Sequence, residues 1–100
     1  MKESIEKLIA EELQKANAKF PPFASRHEGA AVIREEIEEA EQELQNLQTN
    51  HNIFWQYIKR KGEPGECHYL AKMREKAINL TEEAIQVAAM CDKYMPLIKG

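Results

Sequence analysis

The sequence is poor in residues that interrupt helices, cross-link chains or enter membranes. Its 100 residues include four glycines, four prolines and two cysteines, Cys67 and Cys91, which lie far apart and form no C-x-x-C motif. Scarce Gly and Pro favour helices, and two separated cysteines are typical of free thiols in a reducing compartment. No apolar run approaches the ~18 residues of a membrane span, and the charged start is unlike a signal peptide. We therefore expect a cytoplasmic protein without a membrane partner.

Size and charge limit the function classes. A chain of 100 residues fits one domain, spanning 1–100, and a net charge of -3 argues against general binding of nucleic acid. It does not exclude an anionic nucleotide as substrate, because a bound divalent cation reverses the local field. A helical chain this short often completes its core by oligomerising.

The apolar spacing predicts an all-α fold, an antiparallel helix bundle completed by oligomerisation. Residues 1–24 form an N-terminal helix and a connector with Pro21 and Pro22, and residues 25–95 form the core. Ser25 and Glu28 make a capping box that opens the second helix. That helix is expected to weaken near residue 48, so that Thr49 or Asn50 caps a separate short helix. The predicted helices span residues 4–18, 25–48, 52–61 and 68–97, with a loop at 62–65.

Acidic side chains flank the apolar seam of the second helix. With Ile33, Ile37, Ala40 and Leu44 at the centre of the buried face, about 100° per residue places one set of glutamates along its edge. Lys76, Asn79, Glu83 and Gln86 form a matching polar stripe on the last helix. Antiparallel packing would bring carboxylates from both helices around one cation, and oxygen ligands suit Mg²⁺ or Mn²⁺. The alternative is an ordinary solvated, Glu-rich helix. The carboxylates that antiparallel packing would bring together are Glu35, Glu36, Glu39 and Glu83.

Two further side chains are candidates for substrate contacts. The aromatic ring of Trp55 could stack on a nucleotide base. The competing interpretation is that it packs within the chain or against a partner. His27, in the first turn of the second helix, reaches towards substrate or serves as a surface residue near the cap. For both residues the sequence leaves the two alternatives open.

The segment 23–40 contains S-R-H-E-G followed by E-E-x-x-E, and Glu83 begins the later segment E-A-I-Q-V-A. Together these motifs resemble the MazG-like branch of the all-α NTP pyrophosphohydrolases, over residues 23–94. The family pattern continues as E-x-x-D on the later helix. In this chain Glu83 matches its first position and Gln86 stands where the Asp is expected.

The resemblance implies a Mg²⁺- or Mn²⁺-dependent enzyme that cleaves a nucleoside triphosphate to the monophosphate and pyrophosphate, working as a homodimer or homotetramer. The implied catalytic residues are the four converging glutamates, which also bind the metal together with Gln86; Lys76 and Asn79 would contact the phosphates. Because an amide brings no charge, Gln86 leaves open an inactive helical module with the same fold. The sequence does not distinguish the preferred base or sugar, or the number of ions.

Overall fold

The computed structural model describes residues 1–60 and 65–99, and within them the chain is entirely helical or irregular, with no strand. It has three helices, α1 (Lys2–Lys19), α2 (Arg26–Lys59) and α3 (Glu66–Lys99). The all-α prediction is therefore confirmed. None of these helices combines the length and the hydropathy that crossing a membrane requires.

The predicted cap opens α2. The Ser25 hydroxyl accepts a hydrogen bond from the Glu28 amide at 3.1 Å, as expected. The Glu28 carboxylate accepts at 3.1 Å from the amide of Ala24, one residue earlier than the reciprocal capping box places it. Both bonds satisfy amides near the start of the helix, where no intrahelical partner exists.

The prediction of a break near residue 48 is wrong, because α2 continues without interruption to Lys59. No Gly or Pro occurs between residues 30 and 59. The Asn50 side chain donates to the backbone carbonyl of Asn46 at 2.8 Å, so it bonds along the helix instead of capping a new one. Of the predicted loop, residues 62–64 lie outside the described residues, and Gly65 has a φ of 130° that favours glycine.

α2 and α3 form an antiparallel hairpin. Near the connection the rings of Tyr57 and Tyr69 stack with centroids 5.5 Å apart. At the opposite end the backbone of Gly29 lies against the ring of Tyr94. α1 packs against α3 near this second end. The hairpin therefore sets early residues of α2 against late residues of α3.

The core is confined to the end of the hairpin where α1 and the connector join it. Phe23, Ala89 and Met90 are the buried apolar residues. The molecule as a whole is elongated, with principal extents of 59 × 27 × 21 Å. Its radius of gyration of 17.7 Å exceeds the ~13 Å of a compact domain of this length. The half-buried residues around the core are Ile9, Leu13, Ala16, Val32, Ile33, Tyr94 and Leu97.

The predicted apolar seam forms only part of the surface on which α2 meets α3, because Ile33 and Ala40 are half-buried. Ile37 and Leu44 are each 42% exposed, whereas Glu36 and Glu43 are half-buried. Ile37 follows Glu36 by one residue, which turns it about 100° away from α3. Within the chain, the predicted seam and the polar stripe therefore share the helix contact. On α3, the apolar residues Leu70, Ala77, Ala84 and Cys91 are exposed, whereas Met73, Leu80 and Val87 are half-buried.

We expect Gly29→Val to destabilise the fold. A Cβ at Gly29 would lie 2.6 Å from Cδ2 of Tyr94 and 2.9 Å from Cδ2 of Phe23, so the rings must move, at a cost of about 1–3 kcal/mol. Thermal melting should show a fall in Tm of more than about 5 °C. The matched control is Ala30→Val, at an exposed neighbouring position, which should change Tm little. Equal Tm values for the two variants would contradict this close packing.

Candidate metal centre

The candidate centre lies where the polar stripes of α2 and α3 face each other. On α2 the stripe includes Glu36 and Glu43, and on α3 it includes Asn79 and Glu83, all half-buried. Steps of three, four or seven residues keep such side chains on one helix face. The hairpin thus places carboxylates at positions that apolar side chains usually occupy in a helix pair.

Three carboxylates converge here, two half-buried and one, that of Glu39, exposed. One oxygen from each of Glu36, Glu39 and Glu83 lies within 4.8 Å of the other two. Glu36 and Glu39 project from adjacent turns of α2, and Glu83 approaches them from α3. Three monodentate oxygens at such separations can ligate one hard cation, with its remaining positions open to water or substrate.

The cluster raises the pKa of two of its members. The pKa of Glu36 is raised above its ordinary value of 4.5, first by burial and then by the negative charges of Glu39 and Glu83. The pKa of Glu83 is also raised, first by burial and then by its hydrogen bond with Glu39, with further repulsion from Glu43. A cation between these groups would remove the repulsion that raises both values.

The cluster has a polar atom without a protein partner. Among residues 1–60 and 65–99, Oε2 of Glu83 has no solvent access and no hydrogen-bond partner. The described ion pairs, Arg34–Glu38 and Lys72–Glu75, both lie elsewhere. Buried carboxylate oxygens are normally paired with a donor or a cation. An all-oxygen set with an unpaired oxygen fits Mg²⁺ or Mn²⁺ by its chemistry.

The Gln86 side chain bonds to a third helix. Its Nε2 donates a 2.6 Å hydrogen bond to Oε1 of Glu12 on α1. Neither sequence motif includes Glu12. It lies next to Leu13, at the edge of the apolar stripe of α1. A third helix therefore brings a carboxylate to the position one turn beyond Glu83.

The other predicted site residues on α2 and α3 differ in how near they lie to the cluster. Glu35 is exposed and acts on Glu36 through its charge. Lys76 and Asn79 are half-buried on the same stripe of α3 as Glu83. Measured along the helix axis from Glu83, Lys76 is about 10 Å away and Asn79 about 6 Å away.

The two candidates for substrate contact are farther away. Trp55 is 50% exposed and lies about 24 Å along α2 from Glu39. His27 is exposed and lies about 14 Å along α2 from Glu36. Within one chain, Trp55 is too distant to stack on a base whose phosphates bind at the carboxylates. His27 could meet only a part of the substrate that extends towards the start of α2.

Comparison with known proteins adds no relative. Neither a protein-family model, nor a curated protein, nor a solved structure matches the chain.

Proposed function

We propose that this protein is a nucleoside triphosphate pyrophosphohydrolase that depends on Mg²⁺ or Mn²⁺. The observation that carries the proposal is the approach of Glu36, Glu39 and Glu83, from two helices, to within 4.8 Å of one another. The motifs around these residues resemble those of MazG-like enzymes, and the unpaired oxygen of Glu83 supports a cation ligand. The homodimer or homotetramer and the cytoplasmic location that the sequence led us to expect belong to the same proposal.

The reaction needs a place for the phosphates and an acceptor for a proton. A bound divalent cation would neutralise phosphate charge and polarise the attacking water. The water oxygen bonds to the α-phosphorus, the bond to the α–β bridging oxygen breaks, and pyrophosphate leaves with the bonding electrons. The water's proton passes to one of these glutamates or to a nearby carboxylate. Lys76 and Asn79 follow on the same stripe of α3, where the phosphates would extend.

The proposal predicts pyrophosphate formation from nucleoside triphosphates. Canonical and modified triphosphates should be assayed for pyrophosphate and monophosphate, with Mg²⁺, with Mn²⁺ and with a chelator. We expect equimolar pyrophosphate and monophosphate from at least one substrate, and none with the chelator. Release of inorganic phosphate instead would show cleavage at another bond. Absence of turnover across the whole panel would contradict the proposal.

A second candidate is a helical module that binds a cation without turnover. The observation favouring it is that Gln86, at the position of the family Asp, is held by Glu12 and brings no charge. Binding of Mn²⁺ to the purified chain without hydrolysis of any triphosphate would support this candidate over the enzyme.

A further inference from the structure

Glu12 forms a hydrogen bond that links α1 to the polar stripe of α3. Its Oε1 accepts at 2.6 Å from Nε2 of Gln86, and the two side chains are half-buried. Ile9 and Ala16, three residues before Glu12 and four after it, pack against the core. This spacing puts Glu12 on the side of α1 that faces α3. The carboxylate is therefore held both by the packing of its own helix and by the bond to Gln86.

The bond to Glu12 determines which end of the Gln86 amide is free. A carboxylate only accepts hydrogen bonds, so the amide nitrogen must be the atom that faces Glu12. The amide oxygen is then left for another partner, and such oxygens are ligands of hard cations. Gln86 follows Glu83 by three residues, which places the two side chains one turn apart on the same side of α3. The orientation of the amide therefore suits a metal centre at Glu83.

Glu12 also brings a negative charge to this position. Gln86 stands where the family pattern has an Asp, and its amide adds no charge to the three glutamates that converge on α2 and α3. The Glu12 carboxylate lies within hydrogen-bond distance of that amide, so it supplies the charge that an Asp at position 86 would have carried. A carboxylate that accepts from an amide N–H polarises the amide, which makes the amide oxygen a stronger ligand.

We infer that Glu12 is a positioning residue of the candidate metal centre and that it acts through Gln86. It holds the amide with the oxygen available to the cation, and it supplies from α1 the negative charge that Gln86 lacks. The inference rests on the proposed function, because it concerns the same cation. It gives α1, which contributes to neither sequence motif, a part in cation binding.

Glu12→Gln tests the charge while keeping the length of the side chain. The new amide oxygen can still accept from Gln86, so the link between α1 and α3 remains and the charge is lost. The dissociation constant for Mn²⁺ can be measured on the purified chain from the electron paramagnetic resonance signal of free Mn²⁺. It should rise at least about 10-fold, because carboxylates bonded to metal ligands contribute this much to affinity. The matched control is Glu11→Gln, at an exposed neighbouring position on α1, which should keep the wild-type value.

Exchanging the two groups separates the charge from the hydrogen bond. Glu12→Gln combined with Gln86→Glu keeps one carboxylate and one amide in the pair, but the carboxylate now belongs to α3. This double variant should bind Mn²⁺ at least as tightly as the wild type. If circular dichroism shows that Glu12→Gln alone loses its helices, Glu12→Ala replaces it, because alanine is the residue that favours helices most. The same loss of Mn²⁺ affinity is expected from Glu12→Ala.

The result for Glu12 is distinguishable from the result for the reaction. If the wild type binds Mn²⁺ and Glu12→Gln binds it equally well, the inference is overturned while the metal centre and the hydrolysis proposal stand. A lower Tm of Glu12→Gln in chelator, with unchanged Mn²⁺ affinity, would show that Glu12 only ties α1 to α3. Mn²⁺ binding that depends on Glu12, without hydrolysis of any triphosphate, would support the inference and contradict the reaction. A wild type that binds no Mn²⁺ would overturn both.

Discussion

Pyrophosphate release by Glu36→Gln and by Glu39→Gln should fall at least about 100-fold below the wild type. Loss of a group that merely supports a metal ligand costs 10–100-fold in many enzymes, and these residues would be direct ligands. Each substitution retains the shape of the side chain and removes one negative charge from a group of oxygens within 4.8 Å. The measurement is the initial rate with saturating Mn²⁺ and with limiting Mn²⁺. A rate that recovers at high Mn²⁺ indicates lost affinity for the ion.

Glu41→Gln is the matched control for these two variants. Glu41 is exposed on the same helix, outside the converging group, so its variant should keep the wild-type rate. Circular dichroism should show unchanged helix content in all three proteins. Wild-type rates in both Glu36→Gln and Glu39→Gln would show that the reaction, if present, occurs elsewhere on the molecule.

Divalent cations and protons should stabilise the fold through the same carboxylates. Because the folded state raises the pKa of Glu36 and of Glu83, it favours their protonated forms. That contribution is complete below the ordinary value of 4.5 and is lost as the pH rises through the raised values. With a chelator, the cluster should therefore weaken the fold at pH 7 relative to pH 5. At pH 7, Mn²⁺ at 100 times its dissociation constant should add about 2.7 kcal/mol.

Glu83→Gln separates this effect from general ion binding. With a chelator at pH 7 the variant should melt above the wild type, because it removes a charge that the cluster repels. The difference should shrink as the pH falls towards 4.5, because the raised pKa values let the wild-type carboxylates take up protons more readily. Mn²⁺ should raise the Tm of the wild type and raise that of the variant much less. An equal increase with Mn²⁺ in both proteins would exclude the cluster as the site of stabilisation.

The sequence predicts the local features of the fold better than the packing of its helices. Ser25 and Glu28 specify the start of α2 through side-chain bonds within four residues. The interior of α2 misled the prediction, because Asn50 bonds back to Asn46 inside the helix. Periodicity identified a polar and an apolar stripe on each helix, but it did not show that both enter the contact within the chain, where Glu36, Glu83, Ile33 and Leu80 are all half-buried. A single sequence does not distinguish a stripe buried within the chain from one buried between chains.

The part of the candidate site that lies on α2 was predictable, because a single motif, E-E-x-x-E, supplies its residues. Glu36 and Glu39 share α2, and an antiparallel neighbour was enough to bring Glu83 to them. Glu35, in the same motif, points outward because it precedes Glu36 by about 100° of helix. The bond from Gln86 to Glu12 joins residues 74 positions apart, and no local pattern encodes such a distant pair.

The half-buried glutamates between α2 and α3 favour cation binding at the expense of fold stability. A leucine at position 83 would pack between the two helices more favourably than a carboxylate with an unpaired oxygen. Random variants selected only for heat resistance should therefore replace the acidic residues early, and lose any cation binding as they do so. A sequence that keeps all three carboxylates should therefore melt at a lower temperature than one in which apolar residues replace them.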